Sequence, residues 1–231
     1  MKKRSLGFTL AEVLITLGII GVVAALTIPT LVANYQKTQY VSGLKKAYSQ
    51  VNQALVQMAN DNGTPGDLTD FFDSTDTNTM GSKFVSYFNA VKLCPIGTSG
   101  CFPTTVYNFY DGTNLDGSGT FSTHYRFVTT DGVSFLIGQF SLNCAQSLAA
   151  TGSMHKTCSP LFYVDVNGLK GPNYLGRDIY RFAITTGKGP LLYPSGGPDW
   201  SFWNGVFCSA AIPMGERCAG RIIQEAWEMN Y

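Results

Sequence analysis

The sequence predicts an α+β protein: one long N-terminal α-helix, transmembrane over its first half, packed on an antiparallel β-sheet head with disulfide-tied loops. The first observation behind this is that residues 13–33 run 21 positions without a charge. The second is an apolar stripe at helical spacing from Tyr40 to Met58. The third lies beyond residue 63, where β-branched and aromatic segments alternate with turn residues and where all six cysteines fall. A chain of 231 residues suffices for one globular domain and an extra element. Net charge is +1, from 16 basic and 15 acidic residues, so no strong field points to nucleic acid or to acidic partners. Charged residues make up 13% of the chain, against about 25% in an average soluble domain. The residues after the apolar run are rich in Gly, Ser, Thr, Asn and aromatics. That composition suits an exposed β-rich domain and not a cytosolic enzyme core.

The chain opens on a short basic leader, residues 1–7, with Lys2, Lys3 and Arg4 ahead of Gly7. The uncharged run that follows is ~30 Å long as a helix, the thickness of a bilayer's hydrocarbon core. Basic residues before it and none until Lys37 place the N-terminus in the cytoplasm and export the rest. A secretory signal peptide has a shorter apolar core, and Val23-Ala24-Ala25 is a poor match to its cleavage site. A plain membrane anchor leaves Glu12 unexplained. It sits at the edge of the span between apolar residues, where a carboxylate costs a few kcal/mol without a partner.

Gly7-Phe8-Thr9-Leu10-Ala11-Glu12-Val13-Leu14-Ile15 resembles the processing site of type IV prepilins and type II secretion pseudopilins. That family has a basic leader ending in Gly, then Phe, then Glu as the fifth residue after the cut. Pro29 matches a proline seen in many members. The resemblance covers roughly the first 35 residues. It implies that a prepilin peptidase cuts between Gly7 and Phe8 and N-methylates Phe8. It implies also that Glu12 neutralises the new amine of a neighbouring subunit, fixing register in the filament. Pro29 removes a backbone hydrogen bond, and Gly18 and Gly21 lower helix propensity, so local bending during assembly is expected.

The function so implied is a structural subunit of a type II secretion pseudopilus or type IV pilus, not an enzyme. Its partners would be other pilin or pseudopilin subunits, prepilin peptidase, an inner-membrane assembly platform and membrane lipid. The chain would cross the bacterial inner membrane once, with a periplasmic head, before entering the filament. Its segments are then a leader (1–7), a filament-core helix (8–34), an amphipathic continuation (35–62) and a pilin-like head (63–231). A membrane-tethered periplasmic binding protein that never polymerises is the alternative, and a tethered hydrolase is a third reading.

After the span, Tyr40, Leu44, Tyr48, Val51, Leu55 and Met58 recur at steps of four and three, one face of an amphipathic helix. The run from Asn60 to Gly66 stops it, so residues 8–60 would form one helix ~80 Å long. In the head, residues 125–130 and 133–140 flank Asp131-Gly132, which predicts a hairpin with a type I′ turn. Residues 161–166 and 178–184 are the next two strands. An antiparallel sheet of about four strands on the helix is the economical fold. Residues 67–124 and 187–231 read as irregular loops with short helices, one of them over 222–229.

Cys94, Cys101, Cys144, Cys158, Cys208 and Cys218 lie on the exported side, an even count that reads as three disulfides. Many pairings are open, and joining sequence neighbours is the simplest. A zinc site is the competing use, but there is no Cys-x-x-Cys and neither His124 nor His155 has ligand-like spacing. Asp165, Asn167, Asn173 and Asp178 offer hard oxygens over 14 residues, a composition calcium can use. The segment departs from the EF-hand pattern, and a plain Asn-Gly and Gly-Pro-Asn turn region competes with the metal. No other cofactor is expected. Ser195, in a Gly- and Pro-rich stretch, lacks a Gly-x-Ser-x-Gly elbow, so no catalytic residue is assigned.

Overall fold

The computed structural model describes residues 7, 9–108, 111–114, 123–147, 155–187, 191–196, 208 and 215–231. The chain divides into two compact units, one ending at Gln39 and one running from Tyr40 to Tyr231. Helix α1, Leu10–Asp61, is 52 residues long and carries Pro29 inside it.

In the first unit the helix leaves its apolar side chains exposed, with Leu10 at 80% and Leu14, Ile15, Leu17, Ile19 and Ile20 all at 60–63%. Its hydroxyls turn back on the helix itself. Thr16 donates to the Glu12 carbonyl at 2.9 Å and Thr27 to the Val23 carbonyl at 2.9 Å. A hydroxyl satisfied by its own backbone needs no water, as a helix in lipid requires.

The second unit starts where α1 begins to bury residues. Val41, Leu44, Ala47, Val51, Ala54, Leu55, Met58 and Ala59 are buried at the three-and-four spacing of one helix face. Tyr40 and Tyr48 pack at the margin of the same core. After Asp61 the chain closes the helix with Asn62 N–H on the Met58 carbonyl and Thr64 N–H on the Ala59 carbonyl. Helix α2, Thr77–Val85, follows in a stretch that reads as irregular from sequence. Asp76 caps it, its carboxylate accepting from the Thr79 N–H at 2.8 Å.

Nine strands form one mixed sheet among the described residues. They are β1 (Ala90–Cys94), β2 (Tyr107–Asn108), β3 (Tyr125–Thr129), β4 (Ser134–Gly138), β5 (Gln146–Ser147), β6 (His155–Asp165), β7 (Tyr174–Leu175), β8 (Ile179–Gly187) and β9 (Leu192–Pro194). The order is β1-β3-β4-β6-β8-β7-β2, with β5 also on β6 and β9 also on β8. The four strands legible in the sequence are the antiparallel centre β3-β4-β6-β8. Short strands extend that centre, and the β2–β7 and β7–β8 pairings are parallel.

The hairpin turn differs in type from the one the Asp-Gly pair predicts. Gly132 has φ +84° but Asp131 is not left-handed, whereas a type I′ turn needs both. Gly132 N–H bonds to the Thr129 carbonyl and Thr129 N–H to the Val133 carbonyl, a three-residue loop with glycine at its left-handed position. The C-terminal helix also shifts: α3 spans Cys218–Gln224 rather than 222–229. Ala226 and Trp227 take positive φ, which ends the helix and sets Trp227 edge-on to Tyr48 at 5.5 Å.

Both faces of the sheet centre are covered. On one, Phe127 faces Phe135 across the ladder with centroids 5.0 Å apart, and Phe162 lies diagonally to Phe135 at 5.8 Å, in the same core as the α1 stripe and Phe84 of α2. On the other, Leu136, Leu161, Tyr163 and Ile179 pack with Phe102 and Val106. That is why β4 reads Ser-Phe-Leu-Ile-Gly with no polar alternation: all five residues are buried. Disulfides join Cys94 to Cys101, Cys144 to Cys158 and Cys208 to Cys218.

The hairpin is tied to α1 by charge. Asp131 meets Lys46 at 2.8 Å and accepts from Gln50 at 3.1 Å and from the Thr129 hydroxyl at 2.6 Å. Partial burial pushes the Asp131 carboxyl up, but the hydrogen bonds from Lys46, Thr129 and Gln50 outweigh it and bring it to about 2. Its folded value lies below its unfolded one, so the unfolded chain binds the extra proton. The stabilisation is therefore present above pH ~4 and lost as pH falls through about 2. Thermal unfolding followed by circular dichroism should show Asp131→Asn melting below wild type at pH 6, with the two curves converging as pH approaches 2. A constant gap across that window would remove the carboxylate's assigned part.

Candidate functional site

The N-terminal end of α1 is organised around Glu12. Its carboxylate accepts from both the backbone N–H and the hydroxyl of Thr9, each at 2.8 Å, and the Thr9 hydroxyl accepts from the Glu12 N–H at 3.3 Å. This reciprocal pair is a capping box: two of the helix's otherwise unpaired N–H groups are satisfied by side chains. Thr9 is the residue that sequence reading passed over, although Thr-x-x-Glu before an apolar run is the signature of such a cap. Gly7 is exposed, and a Cβ placed on it would meet no atom within 4 Å. Phe8 and the leader residues 1–6 lie outside the described residues. Pro29 sits within α1, where its missing N–H leaves one carbonyl of the preceding turn without its helical donor.

A second constellation lies in the head, at the β6–β8 corner. Asp165 ends β6 and faces Ile179 across the ladder, so Asp178, one residue earlier, arrives beside it. Both aspartates are fully buried. Backbone N–H groups hold one oxygen of Asp165 and both oxygens of Asp178. Asp165 Oδ1 accepts from the Asn167 N–H at 3.2 Å, and the Asp178 oxygens accept from the Tyr174 and Asn173 N–H groups at 2.7 and 2.8 Å. Four oxygens then find no hydrogen-bond partner in the chain: Asp165 Oδ2, Asn167 Oδ1, Asn173 Oδ1 and the hydroxyl of Ser134, which faces Asp165 from β4. Neither aspartate joins an ion pair among the described residues. Burial, and then the neighbouring Asp178 charge, push the Asp165 carboxyl up to about 9. Burial also raises Asp178, against the pull of the Tyr174 and Asn173 N–H groups. The structure thus brings together all four residues that the sequence suggested as hard-oxygen ligands.

The corner rests on α1. A Cβ on Gly43 would lie 3.1 Å from the Val166 Cβ, and the Arg177 guanidinium stands 6.0 Å from the Tyr40 ring centroid. Gly168 turns the loop at φ +67°, where a Cβ would fall 2.5 Å from the Gly132 carbonyl oxygen. The C-terminal Tyr231 hydroxyl donates to the Gly176 carbonyl at 2.6 Å.

The remaining candidates from the sequence do not gather into a reactive set. Each cysteine is in a disulfide. His124 lies over Gly138, filling the space a Cβ there would take, with Thr123 Oγ1 at 3.3 Å from its Nδ1. Ser195 is buried, its N–H on the Arg181 carbonyl and its own carbonyl accepting from Gly220. Part of its Gly- and Pro-rich stretch, residues 197–200, lies outside the described residues, as does the side chain of His155. Among the described residues no three His, Cys, Asp or Glu converge.

Residues 2–28 match the family pattern described as the prokaryotic N-terminal methylation motif, the signature of type IV pilins and pseudopilins. That match and the exposed apolar helix fit membrane anchoring, and the motif belongs to a structural kind of subunit. No curated protein and no solved structure matches the chain.

Loss of the cap should be visible in the first helical turn. Thr9→Ala removes the hydroxyl that both donates to Glu12 and accepts from its N–H, at a cost of ~1 kcal/mol. Hydrogen exchange of residues 10–13 in detergent micelles should then speed up roughly fivefold, while Thr9→Ser stays near wild type. Equal exchange in Thr9→Ala and wild type would mean the capping box does not hold the turn.

Proposed function

We propose that this chain is a filament subunit of a type II secretion pseudopilus or type IV pilus, made as a precursor and assembled through α1. The observation that carries the reading is the methylation motif at residues 2–28, coincident with an apolar helix whose span has Glu12 as its sole charge. Prepilin peptidase cuts between Gly7 and Phe8 on the cytoplasmic face, removes the three basic leader residues and methylates the new amine. Until assembly the helix stays in the inner membrane and the head in the periplasm. An inner-membrane assembly platform then passes the subunit into the filament, where other subunits replace lipid around the helix. Gly18 and Gly21 favour that exchange, because a Cβ at either meets nothing in this chain and their absence leaves room for a neighbouring helix. The role is structural and needs no catalytic residue.

Glu12 is the link between processing and assembly. In the single chain its carboxylate caps its own helix through Thr9. In the filament the Phe8 amine of a neighbour becomes its partner, and stranding either charge in apolar surroundings would cost ~3–5 kcal/mol.

Two measurements test the reading. Mass spectrometry of the mature N-terminus should find methylated Phe8, and Met1 at the N-terminus in cells with active prepilin peptidase would refute processing. Assembly is tested with two variants scored in the membrane fraction and in sheared fibres. Glu12→Ala loses both cap and charge, whereas Glu12→Gln keeps a side-chain acceptor for the capping box and loses only the charge. Both should insert, be cleaved and fail to enter fibres. Wild-type incorporation of Glu12→Gln would shift the role from charge pairing to helix capping. Wild-type incorporation of both would favour a tethered protein that does not polymerise.

A further inference from the structure

We propose that the free edge of β1 is a docking strand for an extended segment of another protein, one that alternates apolar and acidic residues. The inference concerns the head alone and does not depend on the assembly reading.

Strand β1 ends the sheet, with β3 as its neighbour. The hairpin fixes which of its backbone groups are left over. Thr129 N–H bonds the Val133 carbonyl, so Thr129 and, by alternation, Phe127 turn their backbone groups toward β4. Val128 and Arg126 then turn theirs toward β1, where they meet Lys92 and Cys94. Leu93 lies between those two, so its N–H and carbonyl face the open side of the sheet. A row of this kind is the template that strand addition uses.

The side chains on that edge are apolar where water would favour polar ones. Val91 is 65% exposed and Leu93 51%, and Ile96 is exposed beside them. Six large apolar residues of the head are exposed among the described residues, and these three fall within six positions of each other. Leu93 opposes Phe127, so it stands on the sheet face of the Phe127–Phe135 pair and carries that row out to the edge. An apolar residue arriving beside Leu93 would lengthen the row.

Charge on the other face specifies the rest of the partner. Arg126 faces Cys94 across the ladder, and Lys92 shares that face, two residues before Cys94. Arg126 donates to the Thr98 carbonyl and Lys92 to the Gly100 carbonyl at 3.0 Å, both within the loop closed by Cys94–Cys101. Arg126 is buried and its Nε finds no acceptor. Neither cation joins an ion pair among the described residues. Residues 77–110 contain two lysines and no acid. A buried charge is screened less than one in water, so this edge presents a positive field that nothing nearby cancels. An added strand puts every second side chain on this face. A glutamate or aspartate beside Lys92, with apolar residues between acids, suits both faces at once.

A second copy of the chain fits worse. Lysine and a bulge on an edge strand discourage self-pairing, and β1 has both, the bulge lying between Ala90 and Lys92. Two β1 strands side by side would set lysine with lysine on one face and bring no acid to either.

The test uses the full chain in detergent micelles and two capped peptides of about six residues, alternating valine with glutamate or valine with lysine. The glutamate peptide should bind saturably and about fivefold more tightly than the lysine peptide. At saturation it should slow hydrogen exchange of the Leu93 amide about tenfold. Lys92→Glu should reverse the preference between peptides, and Lys92→Gln should lose most of it, with circular dichroism checking the fold of each. If Lys92→Glu does not fold, Lys92→Gln decides. Equal binding of the two peptides by wild type, no saturable binding of either, or binding that leaves Leu93 exchange unchanged overturns the site. An unchanged preference in Lys92→Gln overturns the part given to Lys92. Protection of Leu93 without peptide, gained with chain concentration or with anionic vesicles, would give the edge to a second copy or to lipid and overturn the peptide partner.

Discussion

The stripe Val41, Leu44, Val51, Leu55 and Met58 is removed from solvent by the same core that encloses Phe127, Phe135, Phe162 and Phe182. Without the helix, that row of aromatic rings would be an open apolar face too large for a soluble domain to carry. Burying each Leu, Met or Phe contributes roughly 1.5–3 kcal/mol, and no other described element could cover so many at once. The rest of the head follows from this contact. Helix α2 adds Phe84 at its edge, the Asp131 turn reaches Lys46 and Gln50, and Trp227 closes on Tyr48.

The same helix faces the opposite problem upstream. From Leu10 to Val32 its large apolar side chains are exposed. The hydroxyls of Thr16 and Thr27 bond their own backbone, and Glu12 is held by Thr9. Such a surface fits membrane anchoring, as does the methylation motif at its start. Burial along the helix begins near Tyr40.

On the other sheet face, short closures act beside the apolar cluster of Leu136, Leu161, Tyr163 and Ile179. Cys101 is tied to Cys94 at the end of β1, Cys144 to Cys158 within β6, and Cys208 to Cys218 at the start of the C-terminal helix. Tyr163 and Arg181 on neighbouring central strands both reach Glu216, at 2.8 and 2.7 Å, which docks the chain before α3 onto the second sheet face. These local ties suit segments whose composition, rich in Gly, Ser and Asn, supplies little apolar area to bury.

An uncharged run and then an apolar stripe determined the two halves of α1, and β-branched and aromatic segments bounded by turn residues determined the four central strands. Glu12 stood out because a charge inside an uncharged run has few innocent explanations, whereas Gly7 and Phe8 were named through the resemblance alone. Thr9 was equally written there, in Thr-x-x-Glu. What the sequence left open depended on partners distant in the chain. Helix α2 and the strand β1 fall in a stretch of weak pattern, and they form because Phe84 and the β3 ladder receive them. The parallel β2–β7 pairing joins residues some 67 positions apart, which no local signal encodes. Asp165 and Asp178 appear in the sequence as two acids in a turn-rich segment. Only the β6–β8 register makes them neighbours, and only packing on both faces removes them from water. Burial is a property of the whole fold, so the unpaired oxygens of that corner could not be read before the sheet was closed.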